Sequence, residues 1–336
     1  MDMKRAQGGQ QGSPSGVLTE RARRVFRDFD PTQGRGLEVG PLYSPLVHKG
    51  QADVHYVDIH LTPALRESKA DHPGLPLDDF VEVDVALIQD GHTRSLAEAT
   101  AGLGPFDWVM ASHVIEHVPD VIAWLSDVAD VLVDDGRLVL AVPDRRYCFD
   151  VRRPPTTVGE MLLAHHHHDL RPSVRAIFDH FTTVVAITST EAWRHGVRED
   201  EEPIHGLAYA RGQVEKSVRD GEYVDCHVWL FTPRTFVEQL SMLAEMDLLD
   251  FVVDSIEPTA VDDLEFDATL RRLPRSLSAE ERAEERAVGF PDVPAGLPAS
   301  PAGIELVALT AREQRLLRLK RRLGDGAKRA IRRGRS

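Results

Sequence analysis

Short apolar runs alternate with amphipathic stretches along the first 143 residues. Gly36 to Val39, Val54 to Asp58, Phe80 to Val85, Phe106 to Ser112 and Arg137 to Val142 are brief and rich in β-branched or aromatic side chains, which predicts five strands. The segments between them space their apolar residues as helices do. Strand and helix in alternation build a mostly parallel sheet with helices on both faces, an α/β fold. From Asp144 to about Asp225 the chain turns to His, Arg and acidic residues and reads as helix and loop, predicting an inserted helical lid over 144–226. A strand-like run returns at His227 to Phe231, then a helix at Pro233 to Met246. The apolar runs Leu249 to Val253 and Ile304 to Leu309 are expected to close the sheet, with an excursion between them at about 271–302.

Composition narrows the class. At 336 residues and 42% hydrophobic side chains, the chain supports one large α/β core with decorations. No run approaches the roughly 20 apolar residues of a spanning helix. Residues 1–16, rich in Gly, Gln and Ser, lack the apolar core of a signal peptide and read as a disordered tail. Two cysteines, Cys148 and Cys226, are too few for a disulfide framework, so a cytoplasmic location is expected. The net charge of −14 is uneven: from Thr310 onward eleven Lys or Arg face only Glu313 and Asp325, so that end carries +9 and the remainder −23. So acidic a body is a poor general binder of nucleic acid. The basic 311–336 segment spaces Leu316, Leu319, Leu323 and Ile331 near helical periodicity, which suits either a solvated helix or contact with an anionic surface.

The first strand ends in Glu38-Val39-Gly40-Pro41, and a helix is predicted to begin near Ser44-Pro45, with Ser44 as cap and Pro45 in the first turn. A glycine at that turn lets backbone approach a ligand lying across the strand's carboxyl end. The second strand ends in Asp58, where a carboxylate can accept both hydroxyls of a ribose. The pair points to a nucleoside-containing cofactor in residues 17–143.

The segment Phe106-Asp107-Trp108-Val109-Met110-Ala111-Ser112-His113-Val114-Ile115-Glu116-His117-Val118 resembles the fourth-strand signature of class I S-adenosylmethionine-dependent methyltransferases of the type 11 group. Val131 to Pro143 is similar to that group's next helix, turn and fifth strand, and the likeness resumes at His227 to Phe236 and over the final strands of 227–310. The resemblance implies a Rossmann-like sheet, mostly parallel with the last strand antiparallel, and S-adenosylmethionine as cofactor. It places Glu38, Gly40 and Pro41 beside the methionyl part, Asp58 on the ribose and Ile59 against the adenine. Asp84, or in its place Asp90, would meet the adenine amino group, and Ser112 and His113 would border the sulfonium. Leu42 and Ser44 stand where the group carries further glycines, which also counts against a dinucleotide, whose pyrophosphate wants them.

The acceptor is expected above the fourth and fifth strands. There Asp144, Arg145, Arg146, Tyr147 and Asp150 form a hydrogen-bonding string suited to a hydroxylated molecule such as a sugar; the plainer alternative is a loop tied by its own Asp–Arg pairs. An oxygen acceptor needs a base, and His227 is the first choice, His113 the second, with Asp144 as a third catalytic candidate and Trp229 beside the substrate. A histidine packed in the core is the alternative for both. His113 and His117, four apart, suit two metal ligands on one helical face, though His117 reads better as a helix-start histidine bonded locally. The run His165 to His168 reads as a solvated patch, since four consecutive residues cannot face one ion from a helix. A divalent ion such as Mg²⁺, held by Asp144, Asp150 and Asp225, stays open. The reading is therefore an O-methyltransferase of a small molecule, sugar or glycan. Its rivals are an N- or C-methyltransferase and a catalytically silent binder of the cofactor.

Overall fold

The computed structural model describes residues 17–70, 74–196 and 201–293. Helix α1 (Glu20–Val25) opens the chain, capped by the Thr19 hydroxyl, and leads through β1 (Arg35–Val39), β2 (Asp53–Asp58) and α2 (Thr62–Ser68) to β3 (Val85–Ala86). A small hairpin of β4 (Ile88–Gln89) and β5 (His92–Thr93) precedes α3 (Leu96–Ala99), β6 (Phe106–Ser112), α4 (Val121–Val131) and β7 (Leu132–Pro143). Four helices follow: α5 (Val158–His167), α6 (Val174–Thr183), α7 (Ser189–His195) and α8 (Leu207–Glu215). The chain returns to the sheet through α9 (Pro233–Glu245), β8 (Phe251–Glu257) and β9 (Glu265–Arg272), then forms α10 (Ala279–Val288). Among the described residues no helix is long and apolar enough to cross a membrane.

Seven strands pair in the order β3-β2-β1-β6-β7-β9-β8. β9 runs antiparallel to both its neighbours and the other pairings are parallel, as the alternation of elements predicts. The central strands are apolar throughout because both faces are covered. Trp108 and Met110 of β6 pack with Ala22, Val25 and Phe26 on one face, whereas Val109 and Ala111 join Leu125, Val128, Phe236 and Leu240 on the other. In β1, Gly36 leaves room for the Trp108 indole: a Cβ there would stand 2.0 Å from the ring. After β1 the chain builds outward to β2 and β3, then crosses back to β6. That reversal at β1 is the switch point where open α/β sheets bind ligands.

Four expected elements differ. No helix starts at Ser44-Pro45. Residues 41–50 form turns, Leu42 takes a left-handed φ of 47°, which a helix cannot continue, and the Glu38 carboxylate accepts the N–H groups of Leu46 (2.7 Å) and Val47 (3.2 Å). The third strand shrinks from 80–85 to Val85–Ala86, because the Asp84 carboxylate takes the Tyr56 N–H (2.8 Å) that a longer ladder would use. His227 to Phe231 is no strand. Only Phe231 bridges Asp144, while Val228 and Trp229 donate to the Glu116 carbonyl. Finally, the antiparallel strand is Glu265–Arg272, and part of the expected 271–302 excursion is the capped helix α10. Ile304 to Leu309, residues 1–16 and the basic 311–336 segment lie outside the described residues.

β9 escapes a hydrophobicity reading because its charges are buried. Glu265 and Asp267 face Arg21, Arg24 and Arg27 near α1, with Arg21 Nη2–Glu265 at 2.7 Å and Arg24 Nε–Asp267 at 3.0 Å. Burial would raise Glu265, but Arg21 and His113 hold it well below the usual carboxylate range. Burial and the charge of Glu265 push Asp267 the other way, up to about 7. Folded Asp267 therefore keeps its proton to near neutrality, while the unfolded chain releases it near pH 4, so rising pH removes stability between those limits. In Asp267→Asn that loss is absent. The stability of the variant relative to wild type should climb from pH 4 to 7.5 by up to ~4 kcal/mol and then level off. Urea unfolding at several pH values reads this; a constant difference would refute it.

Candidate active site

At the carboxyl end of β1, Gly40 adopts φ 65° and donates its N–H to the Val57 carbonyl at 2.9 Å. A side chain there would press on Val114, at 3.1 Å from the Cβ. Pro41 is buried beside it. Glu38 is 1% exposed and, through Leu46 and Val47, fixes the loop that roofs the strand end. Asp58 closes β2 nearly buried, with one oxygen on the Ile59 N–H at 2.7 Å, while the Ile59 side chain is 46% exposed. Asp84 does not join this group: its oxygens hold Tyr56 N–H and Lys49 Nζ (2.6 Å) one level below the strand ends. Asp90 sits at the turn of the β4–β5 hairpin with φ 52°.

β6 delivers the next residues. Ser112 Oγ accepts from Arg21 Nη2 at 2.7 Å. His113 then turns the chain with φ 54° and donates its N–H to the Ala141 carbonyl. Residues 113–117 form a turn rather than a helix. The expected helical face carrying His113 and His117 is therefore absent, and His117 bonds not locally but to Asp225, 108 residues away.

This turn and the 227–229 segment bring three histidines around one carboxylate. His113 Nε2 lies 2.7 Å from Glu265, His117 Nδ1 2.7 Å from Asp225 and His227 Nδ1 2.5 Å from Asp150. The other nitrogen of each ring faces Glu116 Oε1, at 3.6, 3.9 and 3.9 Å respectively. Glu116 is 1% exposed, and neither carboxylate oxygen has a hydrogen-bond partner. Asp150 is itself buried and clamped by Arg153, which also donates to the His227 carbonyl at 2.9 Å. Burial raises Asp150, but His227 and Arg153 overcome that and hold it well below its ordinary range. Against the cost of burial, Asp225 and Glu116 push His117 up to about 9. Behind Asp150, burial drives His180 down to about 3.

Other candidates have partners of their own. Asp144 is fully buried, its oxygens taken by Arg146 (2.6 Å) and Thr259 (2.8 Å), so it braces the loop after β7. Trp229 is buried with its indole N–H on the Val118 carbonyl. Tyr147 stacks on Trp193 at 3.9 Å, with the Arg146 guanidinium 5.2 Å from its ring. Of the 165–168 run, His165 pairs with Asp120 at 3.0 Å and the other three are exposed. Glu116, Glu265, Arg153 and His180 had no individual signal in the sequence, although Glu116 lies inside the quoted β6 signature. A cavity of about 350 Å³ beside β8 and β9 is lined by the charged residues Arg24, Arg27, Glu257, Glu265 and Asp267 with Pro258 and Ala260, and Glu265 is also the partner of His113.

Residues 19–240, more than half the chain, match the family model of the methyltransferase domain. The chain belongs to this family. The sheet of this methyltransferase is the class I sheet, and its cofactor is S-adenosylmethionine. No curated protein matches it. It is similar to solved structures of an S-adenosylmethionine-dependent methyltransferase from Mesorhizobium loti (14% identity, 75% of this chain and 98% of that one, TM-score 0.35) and of the CcbJ methyltransferase from Streptomyces caelestis (12%, 79% and 98%, 0.37). A third is the glycopeptide N-methyltransferase MtfA complexed with sinefungin (14%, 76% and 92%, 0.36).

Proposed function

We propose that this methyltransferase alkylates an oxygen of a hydroxylated acceptor, a sugar or glycan, with a histidine as general base. The observation that carries the reading is the pair of buried dyads Asp150–His227 and Glu265–His113, each with its second imidazole nitrogen turned toward Glu116. A carboxylate on one ring nitrogen fixes the tautomer and leaves the other nitrogen as acceptor, the arrangement a general base requires. Nitrogen and carbon acceptors need such a base less.

The strand ends fit the cofactor. Gly40 has no side chain to obstruct the methionyl part, Asp58 offers a buried carboxylate to the ribose, and the exposed Ile59 offers an apolar face to the adenine. When bound, the cofactor supplies a methyl group on a positively charged sulfur that departs as a neutral thioether. The protein's part is alignment and proton removal: the acceptor O–H gives its proton to imidazole as the oxygen takes the methyl carbon. Arg146 and the Tyr147–Trp193 stack present donors and flat apolar faces of the kind that hold sugar rings.

The test is transfer to a panel of hydroxylated acceptors, followed as S-adenosylhomocysteine formed, in His227→Gln and His113→Gln. Both should lose about 10²-fold or more in turnover with cofactor affinity retained. Normal turnover in both, or transfer confined to amines, would sink the reading.

A further inference from the structure

We propose that Glu116, His117 and His227 form a binding site for one divalent transition-metal ion of the zinc class. One carboxylate oxygen and two imidazole nitrogens from these residues lie within 4.8 Å of one another. Donors sharing one ion at bond lengths of 2.0–2.2 Å stand ~3.5 Å apart, so closure needs shifts of about an ångström, within side-chain reach.

Three observations point to a cation rather than to a packing accident. Glu116 is a carboxylate almost fully removed from water with neither oxygen hydrogen-bonded, a costly arrangement unless something positive meets it. Both histidines carry a carboxylate on Nδ1, Asp225 for His117 and Asp150 for His227, which is how metal-bound imidazoles are oriented and made more basic. The rings stand perpendicular at 4.7 Å, and the Nε2 atom of each lies 3.9 Å from the same Glu116 oxygen. Two imidazoles and one carboxylate favour zinc, iron or cobalt over magnesium, which prefers oxygen donors. This set replaces the Asp144–Asp150–Asp225 triad considered for Mg²⁺: Asp144 is spent on Arg146 and Thr259, while the other two stand behind the ligands.

Three protein ligands leave a position open. A hydroxyl oxygen occupying it is acidified by the ion. His227 then serves as ligand, and the proton passes to His113 Nδ1, which lies 3.6 Å from Glu116 and has no hydrogen-bond partner. The ion's role in transfer rests on the oxygen-acceptor reading; the site itself rests on the ligand geometry alone.

The experiment is calorimetric titration of the full chain, stripped with chelator, with Zn²⁺ alone, and in parallel the visible spectrum with Co²⁺, both without cofactor or acceptor. One equivalent should bind at micromolar Kd or tighter, with intense cobalt bands of low coordination number. Glu116→Gln and His117→Ala should each weaken Zn²⁺ at least 100-fold, and Asp225→Asn, at a half-exposed position, 10- to 100-fold. S-adenosylhomocysteine affinity shows that each variant is folded. No saturable binding, displacement by equimolar Mg²⁺, or binding that survives Glu116→Gln, as zinc on the 165–168 histidines would, overturns the proposal. Failure of oxygen transfer with zinc binding intact would instead strike the acceptor reading.

Discussion

Glu265→Ala is expected to lower folding stability by about 3 kcal/mol, read by urea unfolding at neutral pH. Glu265 accepts from Arg21 at 2.7 and 2.8 Å, from Arg24 at 2.5 Å and from His113 at 2.7 Å, and its side chain is fully buried. Removing one member of a buried ion pair costs about 3–5 kcal/mol because the remaining charge stays desolvated. The lower end applies here for two reasons. Arg21 keeps Ser112 and Arg24 keeps Asp263 and Asp267, and losing Glu265 relieves the repulsion that raises Asp267. The same change frees the His113 ring, so turnover should fall beyond what instability explains, while Glu265→Gln, which keeps an acceptor, should be intermediate. A loss under about 1 kcal/mol would mean that α1 is not held to the sheet by this cluster.

The second large effect concerns the cofactor. Asp58→Ala should weaken S-adenosylhomocysteine about 30- to 100-fold, equivalent to ~2–3 kcal/mol, the worth of charge-assisted hydrogen bonds to ribose hydroxyls at a nearly buried strand end. Because Asp58 also holds the Ile59 N–H, part of the loss comes through the apolar face meant for adenine. An affinity within threefold of wild type would remove Asp58 from the site. Asp84→Asn, at a residue tied to Lys49 and Tyr56, makes the control, with affinity unchanged.

What the sequence reveals follows from how local each cause is. β6 is legible to the residue, Phe106–Ser112, because an apolar run interrupted only by Asp107 and bounded by turns has one sensible use in an α/β chain. α9 is legible from the helical spacing of Phe236, Val237, Leu240 and Leu243 after its Pro233 start. β9 is not, because a strand carrying Glu265, Asp267 and Arg272 looks exposed until Arg21 and Arg24, more than 200 residues away, are seen to bury those charges. The expected helix at Ser44 fails for a related reason: contacts with β1 and β2 hold the loop, the Glu38 carboxylate on the Leu46 and Val47 N–H groups and the Tyr56 hydroxyl on the Val47 carbonyl that a helix would use in its own ladder. At the site, the likeness to known methyltransferases singled out His113 and His227, and the string after β7 named Asp150, but nothing in the sequence paired Asp150 with His227, Glu265 with His113, or either histidine with Glu116. Those partners lie 77 and 152 residues off in sequence, a relation that only the folded sheet expresses.

The most direct test of the central claim, that this chain is an S-adenosylmethionine-dependent methyltransferase, is calorimetric titration of the purified protein with S-adenosylhomocysteine. The wild-type protein is expected to show a single site of micromolar affinity that collapses in Asp58→Ala. Absence of binding to the wild-type protein, with the fold verified, would contradict it.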